Sequence, residues 1–470
     1  MKWMSSCVLV IVSVVVVTLF LWLRFGSLDT AFEFGGDPGR DMLVLWDWRQ
    51  NEKPPLLGPQ TSAMPLNQSA VYFYLLYPAF LLTNGDPRSA NYTVAVFWLV
   101  LFAAGMWGMR KRKDLCWTLL TVFFLSAIQP IFVSQTRSVW NPSFLPPLLT
   151  ISFLSFFLLE VKYTRLRLWV WALSTSLAIS LHFPIGALAL AQLMYGIVFF
   201  RKNLFGMVVS LASALVFFNL PTLVFEMRHG FLITRNVLGG DWLGLSQFSR
   251  GENLWRLIDF SGGQNVWWAN VGLFLILGIT AWRKLRKEKD LLLKQTAFVF
   301  VVSAILTVVS GLAFHSHYAF GFATAWFFVL SRLPWKISAS LLLGLAIIWL
   351  NPTQVAKYFA PARRSLEEIN ICLRQVCVSE KEPVFVSVQS GVSPFHVGYE
   401  YRYLMKKNGC EVRYIETDPE SATKMAVVLD GSSYEHGKTT YNELTLFGDS
   451  KMVKTYDCGK GFGVVILSRP

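Results

Sequence analysis

Charge is what this sequence has least of. Only 15% of its 470 residues are Asp, Glu, Lys or Arg, where an ordinary soluble domain carries about 25%. The deficit falls on the acids, 29 against 43 basic residues. With 54% apolar residues, this composition excludes a soluble enzyme and describes a polytopic membrane protein. The formal charge of +14 does not point to nucleic acid, because no arginine-rich arm or aromatic-basic stripe accompanies it. Excess Lys and Arg in such a chain mark cytoplasmic loops. Cysteine is also scarce, six in all, with no CxxC or CxxH spacing. Cys7 and Cys116 lie in or beside apolar segments. Cys372, Cys377, Cys410 and Cys458 fall in a polar tail, where a disulfide such as Cys410–Cys458 can form if the tail is exported; spacing leaves the connectivity open.

What is present is a series of apolar runs, each long enough to approach the roughly 30 Å of a bilayer core. The first, 6–25, exceeds a signal-peptide core and lacks an A-x-A site, so an uncleaved span is expected. A second, 88–109, ends on Arg110-Lys111-Arg112-Lys113. Further spans are expected at 115–132 and 143–161, then as a tight pair over 168–200 hinged at His182-Phe183-Pro184, and at 204–225. An eighth ends on the basic run Arg283 to Lys294, a ninth leads to His315, a tenth returns to Arg332 and Lys336, and an eleventh covers 336–351. Eleven spans put every basic cluster on one side, with the N-terminus cytoplasmic and the tail outside.

Two stretches do not span. Residues 26–87 form a large first extracytoplasmic loop, in which Val71 to Leu82 is apolar and aromatic but too short to cross, as a re-entrant or interfacial helix would be. After residue 351 the pattern becomes that of a small α/β domain over 352–470: helix Ala362–Val376, strand Val384–Val388, helix Phe395–Lys407, strand Glu411–Ile415, then strands at Ala426–Asp430 and Gly463–Leu467. This tail has no P-loop, GxGxxG or hydrolase elbow.

Chemistry concentrates in Gly35-Gly36-Asp37-Pro38-Gly39-Arg40-Asp41. On a helix, Asp37, Arg40 and Asp41 share one face near its start. Asp followed by Pro also reads as N-cap and N1, and a cap position leaves the carboxylate able to act as a general base. Arg40 either pairs with Asp41 or meets an anionic substrate. A second group, Arg137, Asn141, His182, Glu226, Arg228, His229, His315, His317 and Tyr318, lies at the exported ends of other spans. Singly these are interface anchors. Together they form a polar crown suited to an anionic lipid headgroup. His315-Ser316-His317 lacks a third ligand, so no metal site is expected.

These residues resemble a family. FGGDPGRDMLVLWDWRQNEKPPLLGP (34–59), VYFYLLYP, SQTRSVWNPSFLP (134–146), LAISLHFP (177–184), LPTLVFEMRHGF (220–231), HSHY (315–318) and GYEYRYLMKKNG (398–409) are similar, in this order, to segments of bacterial GT-C superfamily membrane glycosyltransferases. Those are relatives of the protein O-mannosyltransferases and the lipid A aminoarabinose transferase. The resemblance implies transfer of a sugar from a polyprenyl-phosphate donor to a lipid, glycan or protein acceptor on the extracytoplasmic face of the cell membrane. It implies Asp37 as catalytic base and Arg40 near the donor phosphate; of the polar crown, Arg137, His182, His315, His317 and Tyr318 are expected on the donor side. Asp41, Asn141, Glu226 and Arg228 are left for acceptor or supporting roles. No cofactor is expected, with a divalent metal left open; the expected partners are the prenyl-linked sugar, its acceptor and membrane lipids, not nucleic acid. Two departures stand out: Asp41 occupies the position of a Tyr, and Lys53 lies too near Asp37 to match the family's lysine. The competing readings are a transporter or flippase of lipid-linked glycans, which would show repeated halves, and an oligosaccharide ligase of similar fold.

Overall fold

A proline decides the geometry at the centre of the membrane-spanning part. Pro130 has no N–H to give the Ser126 carbonyl, so the helix stops at Ile128 and restarts as Pro130–Arg137, bent by 66°; the side chain of Gln129 caps the restart by accepting from Phe132 N at 2.9 Å. The orphaned carbonyls are met by an arginine: Arg24, 2% exposed, donates through Nη2 to Ser126 O at 3.2 Å and through Nη1 to Ala127 O. Arg137 returns the favour, its Nη1 donating to Leu23 O, Arg24 O and Gly26 O at 3.0–3.1 Å, the last turn of helix Ser6–Phe25.

The computed structural model describes residues 6–61, 66–239, 249–263, 267–310, 314–391, 398–435 and 442–470. They fall into two compact units. The first comprises Met1–Gly26, Pro55–Leu75 and Asn91–Tyr358. Helices Cys7–Ala31, Ser89–Met109, Asn141–Val161, Arg201–Phe218 and Leu291–Ser310 are each long and apolar enough to cross a bilayer. Three bent pairs add Lys113–Ile128 with Pro130–Arg137, Arg250–Gly262 with Trp267–Lys287, and Trp335–Trp349 with Pro352–Phe359. Shorter helices Arg165–Leu181, Gly186–Phe199 and Ala319–Ser331 occupy the remaining expected spans. Val71–Leu82 is a helix over the residues expected. Buried polar side chains stitch neighbours together, Ser152 Oγ to Thr175 Oγ1 at 2.7 Å and Trp171 Nε1 to Gln192 Oε1 at 2.9 Å, as helices in lipid favour.

The second unit comprises Ser27–Pro54, Leu76–Ala90 and Phe359–Pro470, so two pieces of the first loop belong to one folded body with the tail. Its helices are numbered here α1 (Gly36–Asn51), α2 (Leu366–Ser379), α3 (Tyr399–Lys407) and α4 (Asn442–Phe447), and its strands β1 (Val384–Ser390), β2 (Lys424–Asp430), β3 (Lys451–Asp457) and β4 (Phe462–Ser468). The sheet order is β1-β2-β4-β3. β1 and β2 are parallel, Val386 opposite Ala426, and β4 is antiparallel to both β2 and β3; the parallel pair requires a crossover, which contains α3.

Several expectations for this unit need correction. α2 starts at Leu366 rather than Ala362, because Ser365 and Glu368 close a capping box. Of the expected helix 395–407, residues 395–397 lie outside the described residues. Glu411–Ile415 forms only a bridge, Val412 to Val384, before the chain turns at Tyr414. β3 was not expected: its alternation is weak, and pairing with β4 defines it, while Lys451, Lys454 and a bulge between Met452 and Lys454 protect its exposed edge. The disulfides are Cys372–Cys458 and Cys377–Cys410, not Cys410–Cys458. Cys372 and Cys377 both project from α2, one towards the turn between β3 and β4, the other towards the chain just after α3.

Arg88 ties the loop pieces of this unit together, pairing with Asp29 and, at 2.7 Å, with Asp86. Burial works to raise the Asp86 carboxyl, but hydrogen bonds from the Arg88 side chain and N–H outweigh it and hold it below its ordinary 3.8. The unfolded chain therefore takes up this proton first, so the contribution is complete above about pH 4 and lost as pH falls through the folded value. Asp86→Asn is expected to destabilise the unit at neutral pH, with the gap to wild type closing below that pH. Urea resistance of the full chain, read by proteolysis of the tail at pH 7 and near pH 2.5, checks this; a gap that widens in acid would refute it.

Candidate active site

The acid cluster is built on the first turn of α1, though not as a cap. Gly35 is the N-cap and makes no side-chain cap bond, and Asp37 is the second helical residue. Its carboxylate is therefore not taken up by the helix's own N–H groups. Arg40 Nη1 donates to Asp37 Oδ1 at 2.7 Å, while its Nε and Nη2 donate to Asp41 Oδ1 at 3.0 and 2.7 Å. The two acids differ in access: the Asp37 side chain is 49% exposed and that of Asp41 1%. Only Asp37 can meet a substrate, and Asp41 acts as the buried anchor of Arg40.

In the membrane-spanning unit the expected histidines do come together. His182 caps the end of helix Arg165–Leu181 and is 4% exposed. Its ring lies 5.0 Å from that of His317 and 5.2 Å from that of Tyr318. Trp140 closes on His317 at 4.6 Å and His315 stacks on it at 5.7 Å. Asn141 Nδ2 donates to Leu181 O, fixing the backbone just before His182. The buried Nε2 of His182 has no hydrogen-bond partner among the described residues. Among the described residues no group of three His, Cys, Asp or Glu side chains could hold a metal.

Other candidates have structural occupations. Arg137 caps helix Ser6–Phe25 as described above. Glu226 accepts from Ile233 N at 2.8 Å and from Thr234 N and Oγ1 at 2.9 and 2.6 Å, which makes it the carboxylate at the start of helix Leu232–Leu238. Arg228 and His229 are exposed, with His229 stacked on Phe225 at 4.0 Å.

Lys357 and Tyr358 escaped the sequence reading. With Ser134, Gln135, Ser316 and Gln354 they line a cavity of about 420 Å³ in the membrane-spanning unit. Gln354 Nε2 donates to the Tyr358 hydroxyl at 3.0 Å, and that phenol lies within electrostatic reach of both Arg24 and Arg137. The charged side chain of the lining is a lysine, so the cavity suits an anion. The signal was available: Pro352–Phe359 is strongly amphipathic, but the expected domain boundary before residue 352 assigned it to the tail.

No protein-family model matches this chain, and no curated protein matches it. Solved structures do. The crystal structure of ArnT from Cupriavidus metallidurans bound to undecaprenyl phosphate matches with a TM-score of 0.65 at 13% identity, over 96% of this chain and 97% of that one. The apo state of the same protein matches with a TM-score of 0.63 at 12% identity, with the same coverage. This chain has the fold of these structures. The match takes in both the polytopic helical part and the small C-terminal α/β part, as the apolar runs and the polar tail implied. The segment that follows the first long apolar helix carries Asp37, Arg40 and Asp41.

Proposed function

We propose that this chain is a membrane glycosyltransferase that moves a sugar from a polyprenyl-phosphate donor to a lipid, glycan or protein acceptor on the extracytoplasmic face, with Asp37 as general base. The observation that carries the proposal is the whole-chain likeness to ArnT, a protein solved with undecaprenyl phosphate bound. In the reaction, the exposed Asp37 carboxylate removes a proton from an acceptor hydroxyl or amine. The acceptor atom bonds to the anomeric carbon, the bond from that carbon to the phosphate oxygen breaks, and polyprenyl phosphate leaves with the electron pair. Attack in line with the leaving group inverts the anomeric centre. Arg40, held by Asp41, offers a guanidinium to the phosphate charge. In the membrane-spanning unit, the Lys357 cavity suits an anionic headgroup, and the side chains of His182, His317 and Tyr318 can donate hydrogen bonds to phosphate oxygens. Two disulfides in the tail unit support an oxidising compartment for it, consistent with a cytoplasmic side defined by Arg110–Lys113, Arg201-Lys202 and Arg283–Lys294.

The test is transfer by the purified protein from undecaprenyl-phosphate hexoses and pentoses to extracted envelope lipids and glycans. Label should move to an acceptor with release of undecaprenyl phosphate. Movement of intact donor across vesicles without cleavage would favour the transporter reading instead. In the same assay Lys357→Met is expected to raise the donor KM by about 10- to 100-fold, the worth of one charged hydrogen bond. An unchanged KM would remove the cavity from donor binding.

A further inference from the structure

Helix α1 is poorly equipped to hold itself. It contains Gly36, Pro38 and Gly39 in its first turn, makes no side-chain N-cap bond, and ends on Glu52 in the left-handed region at φ 56°. A helix of 16 residues with such ends is marginal alone, so its position must come from what it packs against.

That partner is α3, some 360 positions later in the chain. A Cβ at Gly39 would lie 2.6 Å from Glu400 N and 2.8 Å from Glu400 Cα, so only glycine admits this approach of two backbones. Seven residues on, Trp46 meets the edge of the fully buried Tyr403 at 6.0 Å, and Tyr403 also meets Phe34 at 5.8 Å. One residue further, Asp47 accepts from Lys406 Nζ and from the Tyr414 hydroxyl, both at 2.7 Å. The contacts 39 to 400, 46 to 403 and 47 to 406 advance together, so the helices run parallel and are pinned at both ends. α3 is itself fixed. Arg402 is buried between Glu416 at 2.7 Å and Glu443 at 2.9 Å, and Cys410, three residues past the helix, is bonded to Cys377 of α2.

We infer that α3 of the C-terminal domain is the positioning element for the acid cluster, with Gly39, Asp47 and Lys406 as positioning residues that hold the first turn of α1, and with it Asp37 and Arg40, in working orientation. The inference rests on the reading of Asp37 as base. It gives the tail a part in catalysis that needs no contact with substrate.

The test uses the full chain in detergent. Lys406→Met keeps the aliphatic stem but removes the donor to Asp47; Gly39→Ala wedges the two backbones apart and is the second variant. Hydrogen exchange over residues 36–51 should rise about tenfold or more in each while β1 and β2 stay protected. In the transfer assay kcat should fall by about tenfold or more, as misplacement of a reacting group predicts, with donor KM within about twofold. Lys406→Arg should restore both readouts. Unchanged exchange over 36–51 in both variants overturns the inference, as does faster exchange with unchanged kcat. Full activity of Asp37→Asn in the same assay would overturn the base assignment alone, since loss of turnover on loosening α1 would still support positioning.

Discussion

Asp37→Asn is expected to lower transfer by about 100- to 10,000-fold, the usual contribution of a positioned general base, while leaving the protein folded. The structure separates these two effects. The carboxylate is half exposed and accepts from Arg40 Nη1; an exposed ion pair of this kind is worth about 1 kcal/mol or less. Arg40 keeps its two bonds to the buried Asp41, so the guanidinium should stay where it is. The substituted amide keeps shape and hydrogen-bond acceptance but cannot take a proton from the acceptor. The loss should therefore appear in kcat, with donor KM little changed and an unaltered tryptic pattern. Transfer within a few-fold of wild type would remove Asp37 from the chemistry. Asp37→Glu should recover part of the rate, because the base survives one methylene out of place.

Much of the fold was legible because membrane helices announce themselves by length and apolarity, which need no partner to be read. Helix Ser89–Met109 falls within one residue of its expected start, and Val71–Leu82 coincides with the expected residues. The bends were harder. Pro130 was visible, but the expected span 115–132 ran through it, because hydropathy does not register a missing N–H. The union of 27–54 and 76–90 with the tail was not legible at all. It depends on Gly39 meeting Glu400 and Asp47 meeting Lys406, pairs whose sequence neighbourhoods say nothing of each other.

The site divides in the same way. Asp37 and Arg40 share a helical face by local spacing, and their pairing at 2.7 Å follows from it. His182, His317 and Tyr318 were grouped by topology, since span ends on one side of a bundle converge. Arg137 and Glu226 show the limit of that argument: a charged residue at a span end serves equally as a cap for carbonyls or N–H groups, and the carbonyls of residues 23, 24 and 26 that occupy Arg137 lie more than 100 positions away.

The disulfides carry the second large expectation. By loop-closure entropy, Cys377–Cys410, closing 33 residues, is worth roughly 4 kcal/mol, and Cys372–Cys458, closing 86, nearer 5. Against a domain stability of about 5–15 kcal/mol, losing both should leave the tail unit largely unfolded, and α1 would lose the surface it rests on. Reductant, or Cys372→Ser with Cys377→Ser, is thus expected to abolish transfer although no cysteine lies in the acid cluster, and to open residues 359–470 to trypsin. The single variants should rank differently on the two readouts. Cys372→Ser removes the longer loop constraint, at the turn between β3 and β4, and should cost more stability. Cys377→Ser frees the chain just past α3, the helix that holds α1, and should cost more turnover per unit of stability lost. If both single variants lost activity strictly in proportion to stability, the tail would be a passive scaffold, and α3 would have no particular claim on Asp37.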